Sequence, residues 1–341
     1  MNERVIVCGA GGISNAWFNP IKAENLQVVA VVDLRKDAAE KKIAEHQLAA
    51  AVASDDLDQT LAEFAGKADF LVDLTIPDSH CAVTCKALTA GFHVVGEKPL
   101  APTLAQARQM LATSEKTGKL YMVSQSRRWD TNHVTIANTL ASAELGDLTT
   151  LNCDFFLAAH FGGFRDQMDS PLILDMAIHH FDLARMFSRQ QALSVYADEF
   201  NPKGSWYQGN VAANCLFEMT GGVHFAYRGS WCSEGCRTSW NGDWRLIATQ
   251  GTLLYAADQP PTGEVITANE GFFRPTRALA ITPSAPPATA QHGALKEMLH
   301  FLRTGTRPQC ECHDNIHSLA MVLAAIESSR TQRRVKLADL S

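Results

Sequence analysis

A glycine-rich turn, Gly9-Ala10-Gly11-Gly12-Ile13-Ser14, stands between the apolar run Val5-Ile6-Val7 and a helical pattern, and it constrains the chain more than any other segment. A strand that breaks at glycine and re-enters as a helix is the opening of a strand–helix–strand crossover. The same texture continues through Val28–Val32, a charged helix over 36–47, and Asp69–Leu74. A helix then runs from Pro77 to a stop at Gly91, followed by His93-Val94-Val95, a helix over 103–117, and Leu120–Val123. Continuous apolar strands separated by helices predict a parallel sheet covered on both faces. The right-handed crossover rule then makes that sheet doubly wound.

Beyond a helix near 131–144 the pattern changes. Strands are expected at 148–157, 193–200, 211–218, 223–231 and 243–250, with alternation clearest in Val223-His224-Phe225-Ala226-Tyr227-Arg228. They predict a second, α+β domain built on a large, mostly antiparallel open sheet. Helices are expected at 171–187, 291–304 and 314–330, and the stretch 258–291, with six of the chain's 13 prolines, reads as irregular. At about 150 residues per domain, 341 residues allow two, placed at 1–125 and 126–341.

Thirty basic against 36 acidic residues, a net charge of −6, leave no polybasic footprint for nucleic acid or an anionic membrane. No apolar run approaches the roughly 18 residues that span a bilayer. Met1-Asn2-Glu3-Arg4 leads into the first strand without a leader pattern, and nine scattered cysteines, an odd number, read as reduced thiols. A cytoplasmic protein is expected. Cys310-x-Cys312-His313-x3-His317 has ligand types but lacks a second closed pair, and it precedes the last helix. No metal is expected.

The loop and its setting point to a ligand. Gly9 permits the tight turn, while Gly11 and Gly12 let backbone N–H groups and the helix dipole approach a pyrophosphate, with Ile13 beside them. Ser14 takes the place of the third glycine. Asp33 ends the second strand, 22 residues after Gly11, where a carboxylate bonds ribose hydroxyls. A Rossmann dinucleotide site follows. Asp33 repels a 2′-phosphate and so favours NAD over NADP, although Arg35 could hold that phosphate. Lys98, in Glu97-Lys98-Pro99, lies at the strand edge where such sheets bind ligands, and read alone it is equally a surface lysine. Asp175 and His179, four apart in a helical pattern, share a face; a carboxylate beside an imidazole can make a general base, while read alone the pair is more often a capping Asp and a core His. His180 points about 100° away and reads as structural, and Asp182 as a packing group.

Taken in order, these motifs resemble the Gfo/Idh/MocA oxidoreductases along essentially the whole chain. The resemblance rests on the glycine loop, Leu74-Thr75-Ile76-Pro77-Asp78-Ser79-His80, Glu97-Lys98-Pro99, Asp175-x-Ala-x-His179-x-x-Asp182, and Trp244 to Leu253. It implies a catalytic set of Lys98, Asp175 and His179, and cofactor contacts from Thr75, Pro77, His80 and Glu97. Ala177, and Ser170-Pro171, replace frequent glycines of the family and bear on pocket shape. The resemblance implies hydride transfer between NAD and a secondary alcohol of a sugar, sugar derivative or cyclic polyol. A non-catalytic dinucleotide sensor and an NADPH-dependent reductase are the alternatives. Arg127, His160, Arg165 and Trp231 are candidate substrate contacts, although Arg127-Arg128-Trp129 reads equally as a charged domain boundary with Trp129 as a packing anchor. An uncovered sheet face carrying Phe217, Phe225 and Tyr227 is expected to join a homodimer, or a tetramer built as a dimer of dimers.

Overall fold

The computed structural model describes residues 3–340. The first of two compact units contains the chain as far as Ser126 together with Pro287–Ile316. Its strands are β1 (Arg4–Cys8), β2 (Gln27–Val32), β3 (Val52–Ser54), β4 (Phe70–Asp73), β5 (His93–Glu97) and β6 (Tyr121–Ser124). They pair in parallel in the order 3-2-1-4-5-6, the doubly wound arrangement the sequence predicts. Strand order reverses between β1 and β4. The linking helices are α1 (Asn15–Ala23), α2 (Lys36–His46), α3 (Leu57–Phe64), α4 (Pro77–Thr89) and α5 (Leu104–Thr117). Local chemistry sets their ends: Thr103 accepts the Gln106 N–H at the start of α5, and Gly118 closes it at φ 65°. β3 is not legible in the sequence, because Val-Ala-Ser is too short to show a period.

In the second unit, Arg127–Pro286 with His317–Ser341, α6 (Thr131–Ala141) and α7 (Ile178–Ser188) accompany one large sheet. Its strands are β7 (Leu148–Phe156), β8 (Ala192–Phe200), β9 (Ala212–Met219), β10 (His224–Ser230) and β11 (Asp243–Ala248). They continue with β12 (Gly251–Tyr255), β13 (Thr262–Ile266), β14 (Thr276–Ala278) and β15 (Val335–Lys336). The order is 14-13-12-11-7-10-9-8-15, antiparallel except for the β7–β10 pair. The expected irregular stretch therefore contains β13 and β14; its prolines lie outside both strands.

Two expectations are corrected. The segment 126–341 is not continuous, because Pro287–Ile316, with helix α8 (Ala290–Thr304), joins the first unit. There Glu24 at the end of α1 pairs with His292 at 2.6 Å and Lys296 at 2.9 Å. The last helix, α9, spans Cys312–Thr331. Phe217, Phe225 and Tyr227 are each only 1% exposed. They pack edge-on around Phe181 of α7, with centroids 4.9, 6.0 and 5.3 Å away. Alternation separates two faces without saying which one a helix covers, and the bulkier face gains more by burial. The open face carries Tyr196, Phe200, Leu216 and Ala226 instead, with Leu216 54% exposed.

Asp182 anchors α7. It accepts Arg128 Nε and Nη2, each at 2.7 Å, and the Ser318 hydroxyl at 2.6 Å, all buried. Arg185 lies 3.6 Å away. All nine cysteines are free thiols. Among the described residues no helix is long and apolar enough to cross a membrane. Asp182→Ala removes the carboxylate that both buried guanidinium groups face and is expected to cost about 3–5 kcal/mol. Urea unfolding followed by tryptophan fluorescence checks this, and a loss below about 1 kcal/mol would contradict it.

Candidate active site

The glycine loop has an unequal division of labour. Gly9 has φ 103°, and a Cβ there would lie 2.5 Å from the Leu74 carbonyl oxygen, so only glycine fits. Gly11 has φ −69°, and a Cβ on Gly11 or Gly12 would meet nothing within 4 Å. Neither backbone conformation at Gly11 nor internal crowding at either residue requires glycine, whereas close approach of a ligand to the backbone would. Ser14 is buried and donates to the Gly11 carbonyl at 2.7 Å, which fixes the turn. Ile13 stays exposed.

Asp33 joins this loop to the second strand. Its Oδ2 accepts the Ala10 N–H at 2.8 Å and its Oδ1 the Arg35 N–H at 3.0 Å. Asp33 is thus not the cap of α2, whose N-cap is Arg35. A groove of about 360 Å³ beside the loop is lined by Ala10, Gly11, Gly12, Arg35, Asp37, Ala38, Lys41 and Lys42. Nothing in the sequence marks Lys41 and Lys42, because a charged helix face carries no signal of what lies opposite. These residues fit a dinucleotide: open backbone for its phosphates, a carboxylate at the strand end, and cations along the groove.

At the ends of β4 and β5 the predicted residues interlock. Thr75 donates its hydroxyl to buried Asp73 at 2.6 Å, and Thr84 donates to the other carboxylate oxygen at 3.1 Å. His80 is buried, its ring nitrogens 2.8 Å from the Pro99 carbonyl and 3.1 Å from the Thr75 carbonyl. It therefore positions the Thr75 and Lys98-Pro99 segments, while Pro77, first residue of α4, is exposed. Glu97 is also buried, accepting the Trp17 indole N–H at 2.9 Å. Both His80 and Glu97 support the strand ends from within; the sequence alone offered no sign of this burial. Lys98 is half-buried.

In the second unit the expected helix at 171–187 begins instead as a π-helical turn, Leu172–Ala177, before α7. Such wide turns recur at functional sites. Asp175 lies in the turn and accepts Arg165 Nε at 2.7 Å, a partner the sequence did not reveal. Half-buried His179 follows at the start of α7, next to fully buried His180, whose proton affinity burial holds well below the usual imidazole range. The Arg165 guanidinium lies over Phe161 and Phe164, and Phe161 meets the buried Trp231 ring at 5.2 Å. His160 stacks on Trp206 at 3.7 Å and pairs with Glu234 at 2.9 Å. Arg127 Nη1 donates to His180 Nε2 at 3.2 Å and to the Trp240 carbonyl. Trp129 is buried, as a packing anchor would be. Phe161, Phe164 and Trp240 went unnoticed in the sequence, since irregular loops supply them.

The Cys310–His317 segment brings Glu311, Cys312 and His313 within 4.8 Å of one another. His313 sits between Glu311 at 2.8 Å and Glu115 at 2.9 Å, which raises its proton affinity, and Arg307 also pairs with Glu311. Cations of the protein already satisfy these carboxylates.

Residues 3–125 match the oxidoreductase family with an NAD-binding Rossmann fold, and residues 133–254 match the GFO/IDH/MocA C-terminal domain. The chain belongs to the Gfo/Idh/MocA family of nicotinamide-dependent oxidoreductases. It is 28% identical to D-apiose dehydrogenase of Paraburkholderia graminis over 81% of this chain and 75% of that protein. It is 30% identical to inositol 2-dehydrogenase of an Arthrobacter species, over 56% of each chain. Its fold resembles an oxidoreductase from Agrobacterium radiobacter solved with NAD+, L-tartaric acid and magnesium. The TM-score there is 0.85, at 20% identity over 99% of both chains.

Two glycine substitutions separate folding from ligand approach. Gly9→Ala should destabilise the first unit by at least about 2 kcal/mol, because backbone atoms block the added carbon. Gly11→Ala should leave stability within about 0.5 kcal/mol yet weaken NADH binding roughly tenfold. Denaturant melts and NADH fluorescence titration check both, and equal NADH affinity in Gly11→Ala and the parent would count against the loop's role.

Proposed function

We propose that the protein is an NAD-dependent dehydrogenase acting on a secondary alcohol of a sugar, sugar derivative or cyclic polyol. The observation that carries this reading is the Asp33 carboxylate tied to the Ala10 N–H beside a glycine loop open enough for a ligand's phosphates. Family membership and relatives named D-apiose dehydrogenase and inositol 2-dehydrogenase support the substrate class. Asp33 also favours NAD, because a carboxylate at the ribose repels a 2′-phosphate. A second reading, NADPH, draws support from Arg35, Lys41 and Lys42 in the same groove. The ratio of NADH to NADPH dissociation constants separates the two.

When bound, the nicotinamide supplies the hydride acceptor, or the donor in reverse. His179 takes the substrate hydroxyl proton as general base. Lys98 holds the same oxygen as an ammonium and stabilises its developing negative charge. Asp175, fixed by Arg165, keeps negative charge near the base and favours its protonated form once the proton has moved. In the reverse direction Lys98 and His179 polarise and protonate the ketone. Lys98→Ala and His179→Ala are each expected to lower kcat by at least 100-fold with NADH affinity retained. Near-normal turnover in either variant would remove these assignments.

The open face of the large sheet supports a homodimer, or a dimer of dimers, with Tyr196, Leu216 and Ala226 forming one cross-strand row. Light scattering at micromolar concentration should return at least twice 37.2 kDa. Leu216→Asp should shift that mass downward, and a parent protein already at the single-chain mass would refute the association.

A further inference from the structure

Arg127 differs from its neighbours in the second unit. Arg128 and Arg228 each present the Nε and Nη2 edge of the guanidinium to a carboxylate, Asp182 and Asp154 respectively, in paired bonds of 2.6–2.8 Å. Arg165 pairs with Asp175 through Nε. Arg127 has no carboxylate partner among the described residues. Its Nη1 is taken by two neutral acceptors, His180 Nε2 at 3.2 Å and the Trp240 carbonyl. On the other edge, among the described residues, Nη2 meets only the Met176 thioether at 3.8 Å, a weak acceptor, and Nε has no acceptor. Asp258, whose field reaches Arg127, is committed to Asn241 and Tyr255, each at 2.9 Å.

A half-buried guanidinium among neutral groups is costly unless an anion joins it. Burial draws its pKa down to about 10. The unused Nε/Nη2 edge is the one that grips a carboxylate bidentately. Its contacts, Met176 and His180, flank His179 in the chain.

Resting on the dehydrogenase reading above, we propose that this edge of Arg127 receives the carboxylate of the substrate. The compound oxidised is then a sugar acid, in preference to a neutral sugar or cyclitol. A single fork matches a carboxylate; a phosphate dianion would call for a second cation, and Arg165 is already paired with Asp175.

The test compares matched probes on the unaltered, NAD-loaded protein. D-Gluconate, D-glucuronate, D-galacturonate, the amide of each, and D-glucose 6-phosphate are titrated calorimetrically, with NADH formation followed in parallel. At least one acid should bind tenfold or more tightly than its amide. Arg127→Met should reduce that preference below threefold, and Arg127→Lys, which keeps the charge but loses the fork, should retain part of it. Equal binding of acids and amides, binding of none of the probes, tightest binding of the phosphate ester, or a preference that survives Arg127→Met overturns the assignment. The acid–amide comparison needs no variant, so a substitution that fails to fold does not decide it. Acid preference without NADH formation would keep the anion site and remove the hydride-transfer reading, so the two failures are distinguishable.

Discussion

The carbonyl oxygen of Leu74 stands where a side chain on residue 9 would have to go. Three strand ends meet at this point. Gly9 donates its N–H to Val32 at the end of β2, and Leu74 donates to Cys8 at the end of β1, both at 2.7 Å. A larger residue would push β1 away from β4 where the strand order reverses, and the loop would no longer leave the sheet in the same direction. The position of Gly11 and Gly12, the bond from Ala10 to Asp33, and the groove toward α2 all follow from that close approach. Ligand sites in open parallel sheets form at such reversals because the flanking connections diverge to opposite faces.

A buried ionic cluster organises the second unit in a comparable way. Asp182 gathers Arg128, Arg185 and Ser318 on the inner side of α7. Desolvating these charges offsets much of their mutual attraction, so their main effect is specificity: few other registers of α7 satisfy them all. Fixing α7 determines which of two adjacent histidines meets solvent. His180 goes into the core and His179 stays half-buried, because successive helix positions differ by about 100°. The π-helical turn just before them carries Asp175 to Arg165.

The polar support around the candidate catalytic lysine shows how buried groups act at a distance from chemistry. His80 bridges two strand-end segments through their carbonyls, and Glu97 holds the Trp17 indole. Neither side chain needs to touch a ligand to matter. Holding Thr75 and Pro99 in place limits the freedom of the intervening Lys98 segment, and preorganised positioning of this kind lowers the entropy that binding must overcome.

Much of this was legible in the residues themselves. Continuous apolar runs set a parallel sheet, the glycine turn set its ligand edge, and the Asp175–Asp182 pattern set a helical segment bearing two histidines with different surroundings. These features depend on interactions within a few residues, so a local period or a single glycine can encode them. Other features were decided only when distant segments packed. Residues 287–316 returned to the first unit through α8; Phe217, Phe225 and Tyr227 turned toward α7; short strands formed at 262–266 and 276–278 by pairing with neighbours. Arg165 found Asp175, Lys41 and Lys42 lined the groove, and Arg127 came to lie among neutral acceptors. A charge or an alternating strand looks the same in sequence whichever surface covers it, and only tertiary packing chooses that surface.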